Sequence, residues 1–413
     1  MKMIERDRDI VRGLAERAAE IAALPAQQEK KRLWRALNGL KPERPMVAID
    51  QVCWEEMDMD GSLALKCEDP DARGYERDLR RMLYQWERFP ADMVAEPFAK
   101  VPKAITNTGF GMEVDEQTRA TSEITEVLSH KYGNQFRSIA DVEEKIKMPS
   151  VTHDAAETGR RMEYARWLFG GAIGLRSEGA DTYLSLWDPI STWMGVEAAL
   201  YAIIDNPDMI RALLSRMVAG YMSMLDQLES QGLLCASQQL VHCTGAYTDE
   251  LPAPGYSPDK PRTKDLWMFG LAQMLATVSP TMFLEYEIEY MAPIFERFGL
   301  VYYGCCDPLD GKMAEVRRIP HLRKISMSPW ANRERGAREI GSSYVFSNKP
   351  NPAFLASGVF DEDLIRRDLM ETKSLCERHG CPLEFILKDI STLRGKPERL
   401  WRWSEIAMEV ACS

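Results

Sequence analysis

Short apolar runs alternate with longer segments of helical period along the second half of the chain. "TYLSLW" is followed by the helical "GVEAALYAIIDNPDMIRALLSRMVAGYMSMLDQLESQG". "SQQLVHC" leads through a loop to "SPTMFLEYEIEYMAPIFERFG", where Phe283, Glu287, Tyr290 and Ile294 share one face. "LVYYG", "KISMS", "SYVFS" and "LEFIL" follow, separated by helical or loop-like sequence, and "PMVAID" and "DMVAEPF" supply two runs upstream. β-type runs alternating with helices build parallel sheets. The eight runs, near Met46, Met93, Tyr183, Gln239, Val301, Ile325, Tyr344 and Phe385, predict an α/β fold, a closed (β/α)8 TIM barrel.

The remaining segments divide the chain. Residues 1–44 read as an N-terminal helical extension, and 45–413 as the barrel with an irregular insertion at about 97–160 that includes "TNTGFGMEV". Neither "GFGM" nor "FGGAIG" has the strand, spacing and acidic residue of a dinucleotide site.

Composition narrows the partners. The 413 residues are 45% hydrophobic, and 52 Lys+Arg against 63 Asp+Glu leave a net charge of -11. That balance argues against a nucleic acid or an anionic membrane surface and for a small molecule or a protein. No run approaches the roughly 18 apolar residues of a membrane span, and the first residues alternate charge with Ala, Ile and Leu, so a soluble, cytoplasmic protein is expected. Nine cysteines, odd in number and without a framework, fit a reducing compartment.

The loops after the late strands carry the chemistry. "HCTGAYTDELP", "CCDPLD", "PWANRER", "NKPNP" and "KDISTLRG" all open with polar or reactive side chains. In a parallel barrel they emerge at the carboxyl ends of the strands, where barrel enzymes place their sites. His242, Cys305, Cys306, Asp307, Lys349, Lys388 and Asp389 are therefore expected in one pocket. Asp249 and Glu250 are candidates for acid or base, and Tyr303 for a group beside or in place of a ligand. His130, His153, His321 and His379 read as solvated or hydrogen-bonded residues. The vicinal pair points to a metal or a reactive thiolate. Side chains alternate on leaving a strand, so one cysteine is expected to be functional. Cys306, beside Asp307, is the favoured one, with Cys305 packing beneath the site.

The segments "LSLWDPISTWMGVEAALYAIIDNPDMIRALLSRM", "SPTMFLEYEIEYMAPIFERFG", "YYGCCDPL" and "YVFSNKPNPAFL" resemble the uroporphyrinogen decarboxylase superfamily over roughly residues 180 to 410. The resemblance implies a (β/α)8 barrel and two branches: cofactor-independent porphyrinogen decarboxylases, and zinc-dependent methyltransferases that exchange methyl groups with corrinoid proteins. The decarboxylase branch's N-terminal arginine motif is absent from residues 45 to 95. That region carries Asp50, Glu55, Glu56, Asp58 and Asp60, which would repel a polyanionic substrate. The methyltransferase branch binds zinc through a His-x-Cys pair and a cysteine after the last strand. Here Tyr303 stands where the histidine would be, and the last strand offers Lys388 and Asp389. His242, Cys305, Cys306 and Asp307 remain as a mixed donor set that zinc accepts. Trp187 and Trp330 are candidates to line an apolar cleft for a corrinoid or an aromatic substrate.

The expectation is a methyltransferase in corrinoid-linked methyl transfer or demethylation of a small methylated substrate. Zinc assists, and corrinoid (cobalamin) is free or on a carrier protein. A homodimer is a family-level expectation. The alternatives are a cofactor-independent decarboxylase and a non-catalytic corrinoid- or tetrapyrrole-binding protein.

Overall fold

The structure, a computed structural model, describes residues 4–120, 128–236 and 238–413; residues 121–127, inside the expected insertion, lie outside them. In chain order the strands are β1 (Met46–Ile49), β2 (Phe98–Pro102), β3 (Ile105–Asn107), β4 (Glu116–Ala120), β5 (Leu128–Tyr132), β6 (Val151–His153), β7 (Gly174–Glu178), β8 (Leu240–Val241), β9 (Thr244–Gly245), β10 (Trp267–Gly270), β11 (Leu300–Tyr303), β12 (Leu322–Met327), β13 (Val345–Asn348) and β14 (Leu383–Leu387). Six of them form one parallel sheet in the order β1-β14-β13-β12-β11-β10. A separate parallel pair, β2/β7, and three antiparallel pairs, β3/β6, β4/β5 and β8/β9, complete the pairing. Past β10, Tyr183 makes a single parallel bridge to Phe269.

The sheet curls. In a flat sheet β11 and β14 would stand about 14 Å apart, three strand spacings. Yet Lys388 Nζ, just after β14, lies 2.9 Å from Cys305 Sγ, just after β11. Likewise Tyr302 Oη on β11 meets Ser347 Oγ on β13 at 2.8 Å, across the intervening β12.

Five of the eight expected runs are β1, β11, β12, β13 and β14. The sixth strand, β10, was not among them. All four of its residues are buried, so "WMFG" shows no alternation, and four apolar residues do not distinguish a strand from a buried helical turn. Near Met93 no strand forms. The Asp92 N–H bonds to Val47 O at 3.0 Å, the chain runs on beside β1, and the strand comes later, as β2. The run near Gln239 folds into the β8/β9 hairpin, laid on the concave face of the sheet. Thr244 Oγ1 donates to Glu384 Oε2 on β14 at 2.7 Å and accepts from Lys324 Nζ on β12 at 3.1 Å. Continuous parallel pairing thus extends over six strands, a half-barrel, and the closed eight-stranded ring that the sequence predicts is not shown.

Alternation gives the two faces different chemistry. The convex face sends Val47, Met268, Val301, Tyr303, Ile325, Phe346 and Phe385 into the large core under the helices. Burying each such side chain contributes about 1.5–3 kcal/mol. The concave face pairs apolar Trp267, Phe269, Tyr302 and Ile386 with buried Lys324, Ser326, Ser347 and Glu384. A smaller core joins the helices Glu5–Ala22, Pro70–Arg88 and Ala155–Phe169 to β2 through Leu14, Ala18, Leu79, Val101 and Phe169. The helix Glu362–His379, which feeds β14, is capped by Asp361 accepting from Leu364 N–H and stops at Gly380, φ 72°. Among the described residues no helix is long and apolar enough to cross a membrane.

Candidate active site

β11 ends at Tyr303, and the chain leaves it through Gly304 at φ 91°. That left-handed φ favours glycine, and a Cβ there would also stand 2.4 Å from Leu309 Cδ1. This turn breaks the strand alternation and brings the sulfurs of Cys305 and Cys306 to 3.5 Å of each other. Three further groups meet them. Lys388 Nζ lies 2.9 Å from Cys305 Sγ and 3.2 Å from His242 Nε2, and His242 Nε2 lies 3.4 Å from Cys305 Sγ. Asp389 Oδ2 accepts from Cys306 Sγ at 3.6 Å and sits 3.2 Å from Lys388 Nζ.

Negative charge settles on Cys305. The Cys306 thiol beside it lowers its pKa most; burial opposes this, and His242 and Lys388 add to the lowering. Cys306 is pushed up, first by the neighbouring Cys305 sulfur and then by burial, with the Asp389 carboxylate adding to both. Geometry explains the asymmetry, because the ammonium touches Cys305 and the carboxylate touches Cys306. Burial pulls the Lys388 pKa down, but the Cys305 thiolate outweighs it and raises the pKa overall, so the side chain stays an ammonium. Burial lowers the His242 pKa, which keeps the imidazole neutral near pH 7. Burial also brings Lys349, after β13, down to about 8; its Nζ donates to Tyr302 Oη and to Ser347 Oγ at 3.2 Å.

His242 is presented by a strained turn. His242 and Cys243 are the two connecting residues of the β8/β9 hairpin, at φ 38° and 70°. Two-residue hairpin loops need positive φ at one or both positions, which Asn-Gly supplies cheaply and His-Cys does not. Non-glycine residues held so cost of order 1–3 kcal/mol each, and such strain clusters at functional sites. The Phe269 ring steadies the imidazole, stacked at a centroid distance of 3.7 Å and an interplanar angle of 11°.

The donor set does not fit the expected zinc. A closed or catalytic zinc site needs three or four ligands on one point at about 2.0–2.3 Å. Here the partner that bridges Cys305 and His242 is the Lys388 ammonium, a cation. Asp307 is turned away: it is 3% exposed, and its Oδ1 accepts the Cys305 N–H at 3.2 Å. Among the described residues no group of three or more His, Cys, Asp or Glu side chains is arranged to hold a metal ion.

The other sequence candidates lie apart from the sulfurs. Tyr303 points to the convex side and donates to the buried Glu287 Oε1 at 3.0 Å. Glu250 pairs with Arg323 at the start of β12, and Asp249 with Arg35 at 3.4 Å, which places both at the amino end of the sheet. Trp187 is fully buried and donates to Tyr286 O at 3.1 Å, a core residue. Trp330 is 73% exposed in the loop after β12, at the carboxyl end.

Three residues near the site were not among the candidates: Phe269, Tyr183 and Asp188. Tyr183 Oη donates to Asp188 Oδ2, and burial raises the Asp188 carboxyl, with the Cys305 charge adding to it. Asp188 lies in the quoted "LSLWDPIS" segment, in the first turn of the helix Trp187–Met194, where an acid also reads as helix-dipole chemistry.

No protein-family model matches the chain, and no curated protein matches it. Among solved structures, a methyltransferase from Methanosarcina mazei superposes over 92% of this chain and 97% of that chain, with a TM-score of 0.48 and 12% sequence identity. At that distance the superposition carries no activity from one chain to the other.

Proposed function

We propose that the chain is a methyltransferase whose reacting group is the Cys305 thiolate, at the carboxyl end of a (β/α)8-type fold spanning 45–413, with the 1–44 helices and the 97–160 segment as additions to it. The observation that carries this reading is the Lys388 ammonium 2.9 Å from Cys305 Sγ, with His242 against both. The thiolate is the nucleophilic form of cysteine, and an adjacent cation stabilises it. Lys388 thus supplies the positive charge that a metal would otherwise bring.

In this reading Cys305 Sγ attacks the methyl carbon of the donor. The sulfur–carbon bond forms and the bond from that carbon to the donor's oxygen, nitrogen or cobalt breaks, its electron pair staying on the leaving atom; an oxygen or nitrogen leaving atom takes a proton from Lys388, which regains one from water. The acceptor then attacks the same carbon, and the sulfur recovers its electron pair and its charge. The resemblance to the corrinoid-linked branch makes a corrinoid, on a carrier protein, the substrate class of one half-reaction and a small methylated compound that of the other. Trp330, exposed at the same end of the sheet, is available to such a carrier.

The test is to incubate the protein with methylcobalamin, or with reduced cobalamin and a panel of methyl ethers and methylamines. Cobalt absorbance and the mass of the Cys305 peptide are followed together. The expected result is a change in absorbance with one methyl increment on Cys305, both lost in Cys305→Ser. If no donor or acceptor changes either readout, the proposal is wrong.

A further inference from the structure

The six-stranded sheet stops at β1, and the β2/β7 pair begins without pairing to it. Between these two edges lies a cavity of about 430 Å³. Ala48, Ile49 and Asp50 face it from β1 and its carboxyl end, and Phe98, Ala99 and Lys100 from β2. Met82, Met93 and Phe169 add apolar wall, and Cys243 of the hairpin closes the inner end. The hairpin tip separates this space from the sulfurs: His242 is turned to Cys305, and the next residue, Cys243, to the cavity.

Most of the charged groups on its walls are already matched. Asp92 holds Arg44 at 2.6 Å, Glu96 holds Lys31 at 2.8 Å and accepts from Tyr247 at 2.6 Å, and Lys100 stands 3.6 Å from Glu178. Asp50 is different. Its partners are the Gln51 N–H at 2.7 Å and the Cys243 thiol, whose pKa is raised by burial and then by the Asp50 charge. The lysines of the concave face are directed elsewhere, Lys349 to Tyr302 and Ser347, Lys388 to Cys305, His242 and Asp389. Among the described residues no cation pairs with Asp50, a half-buried carboxylate on the wall of an apolar cavity, and a cation on an apolar body matches both features.

We propose that the cavity between β1 and β2 is a binding site for a protonated amine carried on an aromatic-sized apolar group, with the ammonium on Asp50 and the ring between Met93, Phe98 and Phe169. The inference does not use the methyl-transfer reading and holds or fails without it.

The test is calorimetric titration of the full chain at pH 7 with 2-naphthylmethylamine, with naphthalene-2-methanol and 2-naphthoate as matched neutral and anionic probes. The amine is expected to bind about tenfold or more tighter than the naphthoate, the scale of a hydrogen bond to a charged group. Asp50→Asn should abolish that preference, and Ala99→Phe, which fills the cavity, should abolish binding of all three. Met93→Trp fills the same space from another wall and serves where Ala99→Phe lowers the Tm. The proposal is overturned if no probe binds, if the naphthoate binds as tightly as the amine, or if both filling variants bind undiminished.

Discussion

Two lysine–anion pairs stand on the same concave face, one towards each end of the strands, and they differ in access. Near the amino end Lys324 and Glu384 pair at 2.8 Å with both side chains 0% exposed. The hairpin covers them through Thr244, and the rings of Trp34 and Trp267 lie 5.3 and 5.7 Å from the Lys324 ammonium. At the carboxyl end Lys388 and Cys305 are themselves buried, 4% and 3% exposed, but half-buried Cys306 and 50% exposed Asp389 touch them, so this pair lies one side chain from solvent. Their contact chemistry is alike. A sealed carboxylate specifies how the hairpin sits, whereas a reachable sulfur anion can form a bond. Burial of an ion pair therefore says little about function until access and the nature of the anion are known.

The largest expected effect lies at the sealed pair. Glu384→Ala leaves Lys324 unpaired and should cost about 3–5 kcal/mol in urea unfolding, whereas Lys324→Met with Glu384→Leu should cost far less. If the single substitution is nearly neutral, the lower pair is not architectural and the contrast fails.

At the reachable pair the same kind of change should alter chemistry instead. Cys305 has a lowered pKa, so its alkylation by iodoacetamide should stay nearly flat from pH 7 down to about 5, well below the ordinary thiol range near 8.5. Lys388→Met should slow the reaction at pH 6 about tenfold for each pKa unit regained, each unit being about 1.4 kcal/mol. Folding stability should change little by comparison. A rate unaffected by Lys388→Met would show that the ammonium does not hold the thiolate.

Lys349 sharpens the comparison from between the two pairs. Its folded pKa of about 8 lies below its ordinary 10.5, so between these values the unfolded chain binds more protons. Stability should therefore rise as pH rises from about 8 towards 10. Lys349→Met should flatten that rise, as measured by urea midpoints across the range.

The smallest effect belongs to Asp389, half exposed and screened by water. Asp389→Asn should change Cys305 alkylation at pH 6 by no more than about fivefold, the range of exposed charge pairs. A larger change would place the carboxylate deeper in the site than its exposure indicates.

Much of the carboxyl-end cluster was legible because strand direction settles it. Cys305 and Lys388 meet because the parallel strands β11 and β14 deliver their following loops to one end, and His242 reaches them from the tip of the β8/β9 hairpin. The choice between the cysteines was not legible. Alternation favoured Cys306, but alternation ends with the strand, and the left-handed Gly304 turns both sulfurs inward with Lys388 against Cys305. Asp249 and Glu250 follow His242 closely in sequence, yet β9 carries the chain back to the amino end, where Arg35 and Arg323 hold them.

The pattern of apolar runs by itself determined the alternation of strands and helices, the positions of β1 and β11 to β14, and the residue types that follow them, because period and strand direction are local properties of a chain. Only the tertiary structure decided which of those groups touch. The curl of the sheet joins β11 to β14, and the hairpin rather than a strand presents His242. A lysine rather than an aspartate faces the sulfur, and a gap separates β1 from β2. These are contacts between residues far apart in sequence, settled by how covered surfaces fit and by a few left-handed turns, which no local period records.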